Sequence, residues 1–178
     1  MIYILGNGYL ANKFKNKKIV KNIDEIKDAV TEIWHFASPN SSENPERLID
    51  SIKLTYDLIK KFPGIRIVFA SSEAVNNDDT LYSSVKKTIE KLIIENHKKY
   101  LIYRIPRVYS ADRNSGLIKA LKDNNFTGDM NKTIKFITDD EFCLWFIENI
   151  NKENTIIEYP SSKQISLKIK DIKVMFNI

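Results

Sequence analysis

Tyr82 and Lys86 stand four residues apart in the stretch Leu81-Tyr82-Ser83-Ser84-Val85-Lys86-Lys87-Thr88-Ile89-Glu90. On a helix that spacing puts both side chains on one face. A phenol ordinarily titrates near pH ~10, too high for a base at neutral pH, and a neighbouring ammonium stabilises the phenolate and lowers that value. Upstream, the β-rich run Ile65-Arg66-Ile67-Val68-Phe69-Ala70 ends in Ser71-Ser72. A hydroxyl at a strand end can orient a substrate oxygen while the tyrosine moves a proton. At the N-terminus, Ile2-Tyr3-Ile4-Leu5 runs into Gly6-Asn7-Gly8-Tyr9-Leu10-Ala11, a strand, a G-x-G-x-x-A turn and a helix start. The glycines permit a tight turn and close approach to a pyrophosphate, and the small Ala11 allows helix and strand to pack. Either motif alone has a bland reading: a packed tyrosine beside a solvated lysine, or merely a turn. Together with Ser71-Ser72 they point to nicotinamide redox chemistry, in which the cofactor carries the hydride and the protein places the proton.

Elements must hold these residues in register. Short apolar runs alternate with amphipathic ones, the pattern of a parallel α/β sheet. Strands are expected over 2–5, 18–21, 32–37, 66–70, 100–104, 135–136 and 155–158. The bulky run Trp34-His35-Phe36-Ala37 fits a strand covered on both faces. Helices are expected over 9–15, 23–30, 45–62, 81–98, 115–122 and 141–149. The third stops at Pro63-Gly64, a strong breaker. The reading is one Rossmann-type doubly wound domain over 1–178, with 111–178 as a reduced substrate-binding part.

The chain has 178 residues and 43% hydrophobic content, enough for a core of its own. No apolar run is long enough to span a bilayer, and no basic region precedes the first apolar stretch, so neither a membrane span nor a signal peptide is expected. The single Cys143 allows no internal disulfide and fits the cytoplasm. The net charge of +5 comes from lysines interleaved with acids, which argues against a nucleic-acid patch. His35 on a buried strand reads as a core histidine, His97 as a surface one, and no cluster suggests a metal.

Taken in order along the chain, the motifs resemble the extended short-chain dehydrogenase/reductase superfamily, in its NAD-dependent epimerase/dehydratase group. Gly6–Ala11 resembles the phosphate turn of atypical members with G-x-G-Y-L-G. His35-Phe36-Ala37-Ser38-Pro39 resembles the strand end that lines the cofactor, and Ser51-Ile52-Lys53-Leu54-Thr55-Tyr56-Asp57-Leu58-Ile59 the following helix. Phe69-Ala70-Ser71-Ser72-Glu73-Ala74-Val75 resembles F-x-S-S-x-x-V-Y, with Asn76 in place of the tyrosine. Tyr82, Lys86 and Glu90 match Y-x-x-x-K-x-x-x-E. Arg104-Ile105-Pro106-Arg107-Val108-Tyr109-Ser110 resembles R-x-x-N-V-Y-G, and Lys135-Phe136-Ile137-Thr138-Asp139-Asp140 a late strand of the family.

The resemblance implies a catalytic Ser72, Tyr82 and Lys86 and an NAD or NADP site. Gly6, Asn7, Gly8, Tyr9, Leu10, Asn22, Phe36, Ala37, Ser38, Ala70, Ile105 and Pro106 would line that site, with Tyr82 and Lys86 reaching the nicotinamide end. Ser72, Glu73 and Arg107 would face a nucleotide-sugar; Glu73 fits a rim residue better, and Arg107 equally fits a structural salt bridge. The acid that binds the adenosine ribose in NAD enzymes is not evident about 20 positions on. Lys21 would favour NADP, Asp24 would reach the adenosine, and both also fit plain surface positions. A homodimer through 45–62 and 81–98 is implied as well. The expected activity is a cytoplasmic sugar-nucleotide epimerase or reductase. The alternative is a non-catalytic dinucleotide-binding sensor or partner subunit that has lost its substrate lobe.

Overall fold

The computed structural model describes residues 1–27, 29–39, 44–77 and 79–178. Two compact units emerge: Met1–Ile105 with Asn149–Glu158, and Pro106–Glu148 with Tyr159–Ile178.

The first unit is built on a six-stranded parallel sheet. Its strands are β1 (Ile2–Leu5), β2 (Lys18–Val20), β3 (Glu32–His35), β4 (Arg66–Ser72), β5 (Tyr100–Ile105) and β8 (Thr155–Glu158), ordered β2-β1-β3-β4-β5-β8. The apolar, β-branched runs suit strands covered on both sides. Ile4, Leu5, Ile33, Ile67, Val68, Phe69, Leu101 and Ile102 are fully buried. The parallel register sets Leu5 beside both Val20 and His35, and Ser72 beside Ile105. The carboxyl ends of the central strands therefore lie together at one edge, where ligands of such sheets bind.

Two long helices cross over between strands. α1 (Pro45–Lys61) has Pro45 in its first turn and is capped by Asn44, whose side chain accepts from the Glu46 N–H at 2.8 Å. α2 (Leu81–Asn96) opens with a reciprocal capping box between Thr80 and Ser83. The two helices pack against each other, and Leu48, Leu58, Ile59, Val85, Ile89 and Ile93 join the core under the sheet.

Two expected helices shrink to single 3-10 turns. In place of 9–15 there is Ala11–Lys13, because Phe14 is buried with its ring edge-on to Trp34 and pulls the chain off the helical path. In place of 23–30 there is Ile23–Glu25; Asp28 lies outside the described residues. There the Glu25 carboxylate folds back onto the N–H groups of Asn22 (2.9 Å) and Lys21 (3.2 Å). Ile26 is already extended and Ala29 is left-handed (φ 69°).

The second unit holds β6 (Val108–Tyr109), β7 (Thr133–Thr138) and β9 (Ile165–Lys168) in the order β6-β7-β9. β6 runs parallel and β9 antiparallel to β7. α3 (Gly116–Lys122), α4 (Asp139–Asn149) and α5 (Ile169–Met175) complete the helices among the described residues. Ile118, Leu121, Ile134, Phe136, Ile169 and Ile172 form a separate small core. β6, β9 and α5 were not expected from sequence; each is short, and β9 runs straight into α5.

Candidate active site

The glycine turn is shaped by close approach. Gly6 has φ +117°, and a Cβ there would come within 2.7 Å of the Ala37 nitrogen and 2.8 Å of the Phe36 carbonyl carbon. Its N–H donates to the Val20 carbonyl at 2.9 Å, while the Phe36 N–H donates to Leu5 at 2.8 Å. Gly6 is thus required by packing between the ends of β1 and β3. Gly8 differs, since a Cβ there would meet nothing within 4 Å. The open space at Gly8 is what a turn approached by a ligand leaves free. Ser38 Oγ, just past β3, is buried with no hydrogen-bond partner among the described residues. An open glycine and an orphaned buried hydroxyl beside the same strand ends fit a bound polar group. The residues present are therefore compatible with a dinucleotide.

The second cluster sits at the end of β4. Ser72 accepts from the Ala74 N–H at 3.3 Å and lies beside the Tyr82 phenol, whose ionisation it favours. Lys86, one turn along α2 from Tyr82, is buried, and its Nζ donates to the Ala70 carbonyl at 2.9 Å. The ammonium lies 5.0 Å from the centre of the Phe69 ring and 5.6 Å from that of Tyr82. The structure thus sets Ser72, Tyr82 and Lys86 side by side, with Ala70 as the lysine's anchor.

Their electrostatics differ from the sequence expectation. Burial raises the Tyr82 pKa, and the Ser72 hydrogen bond opposes this without reversing it. Burial also lowers Lys86 to about 7, while the Glu90 carboxylate pulls the other way. Desolvation dominates at the phenol, opposite in sign to the effect that the spacing suggested. Tyr82 is a neutral phenol, equipped to give a proton rather than take one.

Behind this cluster lies a network that sequence reasoning did not assemble. Ser71 Oγ donates to Glu90, which also receives Arg104 through Nε (3.1 and 3.2 Å) and Nη2 (2.7 Å). Arg104 Nη1 reaches Asn76 Oδ1 at 2.8 Å and Glu158 at 2.7 Å. One guanidinium therefore ties the ends of β4, β5 and β8 to α2, fork to carboxylate. The available signal was an arginine inside the apolar run of β5, which needs a partner if buried.

His35 is fully buried. Its Nε2 meets Thr55 Oγ1 at 2.9 Å, and the Thr55 hydroxyl donates to the Ser51 carbonyl at 2.8 Å, so Nε2 carries the proton. Burial, aided by the Lys86 charge, lowers its pKa to about 3. His97, expected at the surface, is buried and hydrogen-bonded to the Ile65 carbonyl. Asn22 begins the turn closed by Glu25, Lys21 is exposed, and Asp24 pairs with Lys61 at 2.7 Å. Ile105 ends β5, and Glu73 begins a 3-10 turn over Glu73–Asn76. Pro106 and Arg107 open the second unit, where the Arg107 carbonyl accepts from the Ile137 N–H at 2.9 Å. Among the described residues, no helix is long and apolar enough to cross a membrane.

No family model matches the chain, and no curated protein matches it. Solved structures do. dTDP-4-dehydrorhamnose reductase from Bacillus anthracis, in complex with NADP, is 14% identical over 99% of this chain and 81% of that one, with a TM-score of 0.73. UDP-N-acetylglucosamine 4-epimerase from Bacillus cereus is 15% identical over 99% and 84%, with a TM-score of 0.72. UDP-glucuronic acid 4-epimerase from Bacillus cereus, in complex with NAD, is 16% identical over 98% and 73%, with a TM-score of 0.70. The chain has a Rossmann-type α/β fold. At these identities the likeness establishes that fold. In it the glycine turn and the Ser72–Tyr82–Lys86 cluster both stand at carboxyl ends of sheet strands.

Proposed function

We propose that the chain is an NAD(P)-dependent sugar-nucleotide reductase or epimerase of the short-chain dehydrogenase type, with Ser72, Tyr82 and Lys86 as its catalytic residues. The observation that carries this is Lys86 buried beside Tyr82, its Nζ held by the Ala70 carbonyl at 2.9 Å, with Ser72 next to the phenol at the end of a central strand. The similar solved structures support the substrate class: they are a deoxysugar-nucleotide reductase and UDP-sugar epimerases, with NADP or NAD bound in two of the three cited above.

Gly6, Asn7, Gly8, Tyr9 and Leu10 would hold the cofactor's pyrophosphate, Asn22 its adenosine, and Phe36, Ala37, Ser38, Ala70, Ile105 and Pro106 the remainder. When bound, the nicotinamide supplies or accepts the hydride. In the reducing direction, the substrate carbonyl carbon gains a hydride and its oxygen gains the Tyr82 proton. Ser72 donates a hydrogen bond to that oxygen, and the Lys86 ammonium stabilises the phenolate left behind. The raised Tyr82 pKa suits this direction. Glu73 and Arg107 would face the nucleotide-sugar, and 111–178 would form its binding part within one NAD(P)-binding domain. We extend the proposal to a cytoplasmic homodimer.

One observation favours the rival reading, a binding module without turnover: Lys86 is turned onto the Ala70 carbonyl and lowered to about 7, so much of it is neutral at physiological pH. Turnover of a nucleotide-sugar panel decides between them. Tyr82→Phe removes one oxygen and should cut kcat by about 10²–10⁴-fold with cofactor affinity unchanged. Lys86→Met should weaken both. A Tyr82→Phe variant as fast as wild type would exclude the mechanism, and cofactor binding with no sugar ever turned over would favour the module.

A further inference from the structure

The sequence holds one Asn-Gly pair, Asn7-Gly8, and it stands in the first glycine turn. At such a pair the backbone nitrogen of the glycine can attack the asparagine side chain, because no Cβ obstructs the approach. The reaction closes a cyclic imide and needs no cofactor, metal or second protein. Its progress depends on the freedom of the nucleophile, the charge on the electrophile and the space around them.

The turn sets all three. Asn7 and Gly8 are both exposed, and the space where a Gly8 Cβ would stand is empty to 4 Å. Among the described residues no acceptor takes the Gly8 N–H, so the nucleophile is not held in a hydrogen bond. The Gly8 carbonyl, by contrast, accepts from the Asn12 backbone N–H at 3.1 Å and from Asn12 Nδ2 at 2.9 Å, which fixes the residue. The same Nδ2 donates to the Asn7 carbonyl and to Asn7 Oδ1, each at 3.1 Å. A donor on Oδ1 draws charge from Cγ and stands where the oxyanion of an attack on Cγ would form.

We infer that Asn7 is a self-modifying site, at which the Gly8 nitrogen attacks Asn7 Cγ while the Asn12 amide holds Oδ1, converting Asn7 to aspartate or isoaspartate. The Gly8 nitrogen gives its proton to solvent and bonds to Cγ. The Cγ–Nδ2 bond breaks, and Nδ2 leaves as ammonia with a proton from water. Water then opens the imide. Cleavage between the nitrogen and Cγ restores the backbone with an aspartate at position 7; cleavage at the main-chain carbonyl leaves isoaspartate. One water molecule enters, one ammonia leaves, and nothing is oxidised or reduced. The consequence for function rests on the dinucleotide reading. A new carboxylate in the turn would repel a pyrophosphate. Isoaspartate also lengthens the main chain ahead of Gly8. A bound dinucleotide would in turn cover the Gly8 nitrogen, so occupancy and modification oppose each other.

Peptide mapping by mass spectrometry tests this on folded protein held at neutral pH, with urea-unfolded protein as the reference. Asn7, distinguished from Asn12 by fragment ions, should gain one mass unit at least as fast in the folded protein, and isoaspartyl methyltransferase should label the product. Gly8→Ala should lose most of the reaction. A donor to an oxyanion is worth ~10²–10³ in a dry site and less in an exposed one, so Asn12→Ala should slow conversion about tenfold. Folded protein that keeps Asn7 while the unfolded chain loses it would overturn the inference, as would Gly8→Ala reacting as fast as wild type. An unchanged rate in Asn12→Ala would overturn the assistance assigned to that amide. Saturating NAD or NADP should slow conversion, and Asn7→Asp should weaken the binding of both with melting temperature unchanged. Conversion that neither cofactor slows would overturn the link to dinucleotide binding. A folded wild type that converts Asn7 yet binds neither cofactor would remove the dinucleotide reading and uphold the self-modification.

Discussion

At the end of β3, the His35 imidazole places one ring nitrogen on Thr55 and leaves the other buried without a partner. A second proton would have nowhere to donate, and Lys86 nearby repels it. The folded pKa is therefore about 3, against an ordinary value of 6.5. Between those values only the unfolded chain binds the proton, so the stabilisation is complete above pH 6.5 and is lost as pH falls toward 3. By pH 5 the loss should reach about 2 kcal/mol. Lys86 acts in the same sense over a higher window. Lowered from 10.5 to about 7, it makes stability rise with pH through that interval. Urea denaturation at pH 5, 7 and 8.5 should show increasing stability, and His35→Gln should flatten the slope between pH 5 and 7. An unchanged slope in that variant would mean that His35 does not titrate as its burial requires. The sequence made the Ser72–Tyr82–Lys86 spacing legible, because strand ends and i,i+4 positions are local facts. It did not reveal Ser71, Glu90 and Arg104 as one network, because that requires knowing that β5 lies beside β4. Nor could spacing tell that burial would dominate at Tyr82 and raise its pKa.

At the scale of elements, the strands of the six-stranded sheet were legible because their β-branched runs have one physical outcome when covered on both faces. The long helices α1 and α2 were legible through their caps and breakers. Two of the short helices were not, although 115–122 and 141–149 formed as α3 and α4: over 9–15 and 23–30 one side chain decides the path. Phe14 ends the first after three residues, and the Glu25 carboxylate closes the second. The same scale separates the two glycines of the first turn. Gly6→Ala forces a Cβ into backbone atoms at a φ that side chains rarely adopt, and should cost at least roughly 2 kcal/mol. Gly8→Ala projects a methyl into open space, so stability should hold while dinucleotide affinity falls. Melting temperature and cofactor titration on both variants check this. Equal melting losses would mean that Gly8 serves packing instead of ligand approach.

On the scale of the whole molecule, the first unit presents Ile49 and Tyr56 on α1 and Leu81 and Ile94 on α2 as exposed apolar side chains. Covering them against a second copy would bury the face formed by these packed helices, and a two-fold arrangement does this with one patch. Light scattering at micromolar concentration should give twice the 20.7 kDa chain mass, and Ile49→Glu with Ile94→Glu should return it to the monomer. A monomeric wild type would contradict the dimer and leave the site untouched. The open turn at Gly8 and the orphaned Ser38 hydroxyl are the structural grounds for the dinucleotide site. The most direct test is calorimetric titration of the folded wild type with NAD and with NADP. Saturable one-to-one binding of at least one of them is expected below millimolar concentration, weakened in Gly8→Ala. No heat of binding from either at millimolar concentration, with the fold intact by circular dichroism, would contradict it.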